Sequence, residues 1–251
     1  MIQKLMIAIV ACLFCNASIA CADNVGLLIM ATGKYIVFVE PLINSAKTFF
    51  CKNHQVTYYV FTDGYLPPAE NVVCIYQPKL GWPRDTMMRY HTYLSHSDLF
   101  TSEDYLFACD ADMLFVDTVG DEILGSLVAT LSPGFTFGSP YPRSRGAYET
   151  NPLSTACVRD DEGKLYFAGG FYGGTTQEVL KMLETNVANI NQDLEIGLIA
   201  AVHDESHWNR YCIDHPPTVI LSPSYCYPEN WQIPYTRRLL ALDKNHVEMR
   251  K

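Results

Sequence analysis

The sequence predicts an α/β domain with a largely parallel sheet. Three observations carry this prediction. Short runs rich in β-branched and aromatic residues alternate with longer amphipathic stretches, the order expected when crossover helices cover a parallel sheet. The 251 residues contain no internal repeat, low-complexity tract or linker. A chain of this length, 49% hydrophobic, buries roughly 70–75% of its unfolded surface in one core.

The elements follow in order. "NVGLLIMA" (24–31) reads as a buried first strand, and "IVFVEPLINSAKTFF" (36–50) as a helix with Pro41 near its start. "QVTYYVFTD" (55–63) and "NVVCIYQP" (71–78) read as strands two and three, with "GYLPP" ending the former. "PRDTMMRYHTYLSH" (83–96) reads as a helix, and "DYLFACD" (104–110) as a fourth strand. Residues 132–152, rich in Gly, Pro, Ser and aromatics, read as strand plus loop. "FAGGFYGGTT" (167–176) is a Gly-rich segment before the helix "TQEVLKMLETNVANI", and "HDESHWNRYCIDH" (203–215) is another helix.

Charge and cysteines set limits on function. Net charge is −9, which argues against general nucleic-acid binding. Residues 1–22 have one basic residue, Lys4, then an apolar run and Ala20-Cys21-Ala22. That grammar reads as a signal peptide cleaved before Asp23, or as a short membrane anchor. "SIAC" also weakly resembles a lipoprotein box. The chain is thus expected to be exported or membrane-associated through this segment alone. Cys51, Cys74, Cys109, Cys157, Cys212 and Cys226 follow it with no CxxC or zinc-ligand spacing. Their apolar neighbours read as those of buried free thiols, although export would permit one or two disulfides.

The chemistry concentrates in "DYLFACDADMLFVD" (104–117). A buried carboxylate is costly without a compensating partner, and here Asp110 and Asp112 sit one residue apart. Positions i and i+2 of a strand share a side, and in α/β sheets ligands bind at the strands' carboxyl ends. Two carboxylates plus ligand phosphates would make a hard-oxygen site for Mg²⁺ or Mn²⁺. The bland alternative is a strand-to-turn pair capping local backbone. His203 and His207 in "HDESH" share a helix face and could bind zinc, as a metallohydrolase would, but Glu205 is not where HExxH needs it. The alternatives there are a helix start whose Asp and Glu favour the dipole, and sugar or phosphate chemistry by Glu205. "AGGFYGG" fits neither GxGxxG nor a P-loop. Its glycines suit a close backbone approach or a crowded turn equally.

Taken in order, "YYVFTD" (58–63), residues 104–124, "LSPGF" (131–135), "DEGKLYFAGGFYGG" (161–174), "HDESHWNRY" (203–211), "LSPSY" (221–225) and "KNH" (244–246) resemble glycosyltransferase family six. This is the group of the histo-blood-group A and B transferases and α-1,3-galactosyltransferase, with short bacterial-type members. The resemblance runs from about Val25 to His246. It implies a GT-A fold, a single domain over 23–251 with a mixed, mostly parallel central sheet. It also implies a retaining transfer of GalNAc or Gal from UDP-GalNAc or UDP-Gal to the 3-hydroxyl of a galactoside glycan, plain or fucosylated.

By the same resemblance Asp110 and Asp112 bind Mn²⁺ (or Mg²⁺) and, with Ala111, the donor diphosphate. Met30, Ala31, Thr32 and Tyr35 contact the nucleoside. Arg89 and Asp204 serve the donor sugar, and Glu205 is catalytic. Lys244 and Arg250 belong to a tail that closes over UDP. Ala168, Gly169 and Gly170 fall where A-type and B-type enzymes differ, and their small size implies room for an N-acetyl group. The chain departs from the A and B enzymes at Ser132, Ala147 and Val202, which weakens any assignment of their fucosylated acceptor. A non-catalytic carbohydrate-binding relative is the other reading. In a bacterium, an anchored protein with a cytoplasmic face would meet UDP-sugar more readily than an exported one.

Overall fold

The computed structural model describes residues 22–136 and 146–250. The first five strands in sequence order are β1 (Asn24–Met30), β2 (Gln55–Thr62), β3 (Val72–Tyr76), β4 (Tyr105–Asp110) and β5 (Met113–Phe115). β6 (Leu127–Leu131), β7 (Phe167–Thr175), β8 (Val219–Leu221), β9 (Tyr227–Pro228) and β10 (Leu239–Ala241) complete the strands. Among the described residues the main sheet has seven strands, ordered β3-β2-β1-β4-β7-β6-β8. β3, β2, β1 and β4 are mutually parallel. β7 runs antiparallel to both β4 and β6, and β8 is parallel to β6. The expected α/β class and mixed, mostly parallel sheet are what the molecule has. β5, β10 and β9 form a small second sheet beside the cleft.

The near-continuous apolar runs of β1 and β4 are explained by burial on both faces. Leu27, Ile29, Phe107 and Cys109 pack on one side with Leu42 and Ala46 of α1 (Val39–Phe49). There Phe50 and Phe115 meet at 5.1 Å, and Phe107 stacks on Phe171 at 5.6 Å. Leu28, Leu106 and Ala108 point the other way. They meet α3 (Arg89–Leu94), α4 (Thr176–Glu195) and α5 (His203–Asp214), which supply Tyr90, Tyr93, Met182, Leu183 and Trp208.

Several sequence expectations need correction. Residues 83–96 are two helices, α2 (Arg84–Met87) and α3, broken at Met88. Within 132–152 the described residues hold a 3-10 turn (Pro133–Phe135) and no strand. The strand lies just before, at β6. The Gly-rich segment is neither turn nor loop but the nine-residue β7, between β4 and β6. Its glycines serve close approach. A Cβ on Gly173 would sit 2.3 Å from Leu106 O, and one on Gly174, whose φ is 150°, 2.1 Å from Ser126 O.

The expected signal peptide or anchor, residues 1–22, lies outside the described residues except at Ala22. Among those residues no helix is long and apolar enough to cross a membrane. The six cysteines after residue 22 are free thiols. Cys51, Cys109 and Cys212 are buried, and Cys74 is exposed.

Candidate active site

A cleft of about 260 Å³ opens at the carboxyl ends of β1 and β4. Its floor is Met30 and Thr32 from β1 and the turn after it, Asp110-Ala111-Asp112 from the end of β4, and Gly169-Gly170 of β7. Val202, His203, Asp204 and Glu205 form one wall. Tyr35, Lys79, Trp82, Asp85 and Arg89 contribute from the loops and short helices around it. Lys244, His246, Met249 and Arg250 arrive from the C-terminal segment, which ends in α6 (His246–Arg250). The structure therefore brings together all the expected site residues but two. Ala31 is fully buried, its N–H bonded to Phe61 O and its carbonyl accepting from the Thr62 hydroxyl. Ala168 is 6% exposed and lies outside the cleft wall.

The aspartate pair converges by a different route from the one expected. β4 ends at Asp110, and Ala111-Asp112 form a turn before β5. The two side chains are therefore not i and i+2 of one strand. Each has a cationic partner. Arg89 Nη1 donates to Asp110 Oδ1 at 2.8 Å, and the Lys244 ammonium pairs with Asp112 Oδ2. Among the described residues no group of three or more His, Cys, Asp or Glu side chains could hold a metal ion. A divalent cation bound by Asp110 and Asp112 would draw the rest of its shell from phosphate and water oxygens, which suits a hard cation. The donor set fits Mn²⁺ or Mg²⁺ on those terms.

Arg89 is the hub of the wall. It is 8% exposed. Its Nε lies 2.8 Å from Asp204 Oδ2, a close charge contact without hydrogen-bond alignment, and Nη1 also reaches Gly169 O at 3.4 Å. Burial lifts the Asp204 carboxyl to about 7, against the pull of Arg89.

Glu205 is held by two donors. Tyr166 Oη donates to Oε1 at 2.6 Å, and Gly169 N–H donates to Oε2 at 2.7 Å. Burial raises its pKa, and these two hydrogen bonds work the other way by favouring the charged form. Glu205 and Asp204 sit in the first turn of α5, where the helix dipole favours negative charge. His203 just before them has φ 47°.

The histidine pair does not behave as a zinc site. His203 meets Trp82 edge-on at 4.6 Å. His207 is 3% exposed, with its Nε2 3.8 Å from Asp193 Oδ2. Burial pushes His207 down to about 4, against the opposing pull of Asp193 and Glu149. A depressed histidine contributes stability that is full above its unfolded pKa of 6.5 and is lost as pH falls toward 4. That interval corresponds to roughly 3 kcal/mol. We expect denaturant midpoints to drop between pH 7 and pH 5 in the natural protein, and this drop to shrink in His207→Gln. An equal drop in both proteins would remove His207 as its cause.

Sequence reasoning missed Tyr166, Asn209, Lys79 and Trp82. Arg250 lies over the Trp82 ring, 3.6 Å from its centroid, and Lys79 Nζ donates to Arg250 O at 3.3 Å. No spacing rule pairs residues 168 positions apart. Tyr166 had a weak signal, since it stands beside the glycines already singled out.

A model of glycosyltransferase family 6 matches residues 18–251. The chain is 37% identical over 242 residues to histo-blood group ABO system transferase 1 of Rattus norvegicus, covering 90% of this chain and 68% of that protein. It is 32% identical over 240 residues to globoside alpha-1,3-N-acetylgalactosaminyltransferase 1 of Gallus gallus, covering 90% and 69%. The Homo sapiens protein of the latter name is 33% identical over 235 residues, with 88% and 67% covered.

Proposed function

Because the chain belongs to glycosyltransferase family 6, whose GT-A fold is the α/β arrangement described above, we propose that it is a retaining hexosyltransferase. It moves GalNAc, ahead of Gal, from a UDP-sugar to the 3-hydroxyl of a terminal galactoside, forming an α-1,3 linkage. The observation that carries this reading is the pairing, in one cleft, of the Asp110/Asp112 carboxylates with Glu205, itself fixed by Tyr166 and Gly169.

Each residue then has a physical task. Met30, Thr32 and Tyr35 accept the nucleoside at the end of β1. Asp110 and Asp112 would hold Mn²⁺ with the diphosphate. When bound, that ion neutralises charge developing on the leaving UDP. Arg89 keeps Asp204 and Asp110 at fixed separation beside the donor sugar. Glu205 presents a fixed negative charge to the anomeric centre, as nucleophile or as counter-charge. Arg250 on Trp82, and Lys244 beside Tyr35 at 5.9 Å from its centroid, hold the C-terminal segment across the cleft, which excludes water.

Donor choice rests on Gly169 and Gly170, because Ala168 is outside the wall. A Cβ at Gly170 would approach Asp110 Oδ2 and Cys226 Sγ at 3.5 Å. The glycine leaves that volume to an N-acetyl group, without strongly rejecting galactose. Residues 1–22 would export the protein or tether it to a membrane.

The test is UDP release from UDP-GalNAc and UDP-Gal, each with Mn²⁺ or EDTA, with and without a galactoside. Release from UDP-GalNAc, raised by acceptor and abolished by EDTA, is the expected result. Asp112→Asn should lose at least tenfold in kcat, about 1.4 kcal/mol, with no recovery at high donor concentration. Full activity in EDTA would exclude the metal, and a preference for UDP-Gal in competition would reverse the donor order.

A further inference from the structure

At its cleft end, β7 outruns its neighbour. The pairing of β4 with β7 ends at Cys109 opposite Phe171, and β4 itself stops at Asp110. On that flank no named strand continues beside Phe167 and Gly169 among the described residues. Phe167 is 3% exposed, and buried backbone polar groups need partners.

Side chains take the place of the missing strand. Phe167 N–H donates to Asn209 Oδ1 at 2.8 Å, and Asn209 Nδ2 donates back to Phe167 O at 2.9 Å. That is the two-bond exchange a neighbouring strand would make. Two residues on, Gly169 N–H donates to Glu205 and Gly169 O receives Arg89. Asn209 is 1% exposed and one helical turn after Glu205, whose carbonyl its Nδ2 also reaches at 2.9 Å. The carboxamide suits this position because it is donor and acceptor at once. An aspartate would offer only acceptors.

The geometry points to Asn209 as the positioning residue for Glu205. It clamps Phe167, whose preceding residue Tyr166 holds Oε1 and whose second successor Gly169 holds Oε2. By tying that backbone to α5, it sets where both donors meet the carboxylate. The inference rests on the reading of Glu205 as the catalytic group. Asn209 itself is assigned no contact with substrate.

The experiment is Asn209→Asp in the full chain, with Asn209→Ser as a milder second variant. Losing the two N–H bonds should lower kcat by about tenfold to a hundredfold, with KM for the UDP-sugar changed by less than about threefold. The Tyr166 and Gly169 bonds favour the charged form of Glu205, so misaligning them raises its pKa. The acid limb of kcat against pH should therefore move to higher pH. Amide exchange should speed up within residues 165–171 and not across the chain. Asn209→Ser should move all these readouts the same way; it adds no charge beside Glu205, so its acid limb reports misalignment without repulsion, and it keeps the test alive should Asn209→Asp not fold.

An unchanged kcat and acid limb would overturn the assignment. So would exchange that rises uniformly, which would make Asn209 a scaffold residue only. If the natural protein releases no UDP from either donor, the transferase reading fails, and the exchange measurement still judges the clamp.

Discussion

Glu205→Gln should reduce turnover at least a hundredfold, about 3 kcal/mol, while UDP affinity stays within about threefold. The substitution keeps volume and removes charge. In the natural protein the carboxylate offers one oxygen to Tyr166 Oη and the other to Gly169 N–H. Gln has one carbonyl and one NH₂, so one of those donors must face another donor. Both the negative charge and the alignment of the group are lost. UDP affinity is the control, because none of the hydrogen bonds of Glu205 involves Met30, Thr32 or the aspartate pair on the cleft floor. Stopped assays with both donors, with UDP titration alongside, decide the matter. A loss under tenfold would move the catalytic role to another residue.

The second large effect is on stability. Arg89→Leu should destabilise the fold by roughly 3–5 kcal/mol, because a buried ion pair broken from one side leaves its partners uncompensated. Here two partners are stranded, Asp204 at 5% exposure and the half-exposed Asp110. The effect should depend on pH with a definite sign. The Asp204 carboxyl is raised to about 7 in the folded protein from an ordinary 3.8. A raised carboxyl contributes stability that is full below 3.8 and fades as pH rises through the folded value. Without Arg89 that folded value climbs further, so the variant should lose more stability at pH 8 than at pH 5. Denaturant unfolding at both values measures it. A loss below about 1 kcal/mol, or one equal at the two pH values, would contradict the hub assignment. Arg89→Lys keeps a charge but not the fork, and should fall between.

The parts of this molecule that the sequence made legible are those governed by local pattern. β1, β2 and β4 announce themselves because strands buried on both faces must be apolar throughout, and α1 and α4 through helical periodicity. The aspartate pair was legible as a candidate site, and both residues do line the cleft, although their geometry was not legible. Convergence comes from a turn at Ala111-Asp112 rather than from strand alternation. β7 was hidden because "FAGGFYGGT" has little strand propensity of its own. Its conformation is imposed by β4 and β6, distant in sequence, and such tertiary demands override propensity. β6, with five residues, is too short for periodicity to distinguish from its surroundings. The break at Met88 has no proline or glycine to signal it. Residues linked only by tertiary contact, such as Trp82 and Arg250 or Asn209 and Phe167, leave no trace in spacing.

β7 also divides the protein's capacity to change. At Gly173 and Gly174 an added methyl would collide with backbone atoms at 2.3 Å and 2.1 Å, so these two positions are closed to any other residue. At Gly170 the atoms nearest the same methyl are side-chain atoms, the first at 3.5 Å, and at Gly169 they belong to the Glu205 side chain, the first at 3.3 Å. One strand thus joins a frozen half to a mutable half. Under the proposed transfer, a small change at 170 would alter the room beside the donor sugar and leave the sheet intact, whereas one at 169 would press on Glu205. On that reading, a change of specificity needs no new scaffold, only a new side chain at the cleft end of an old strand.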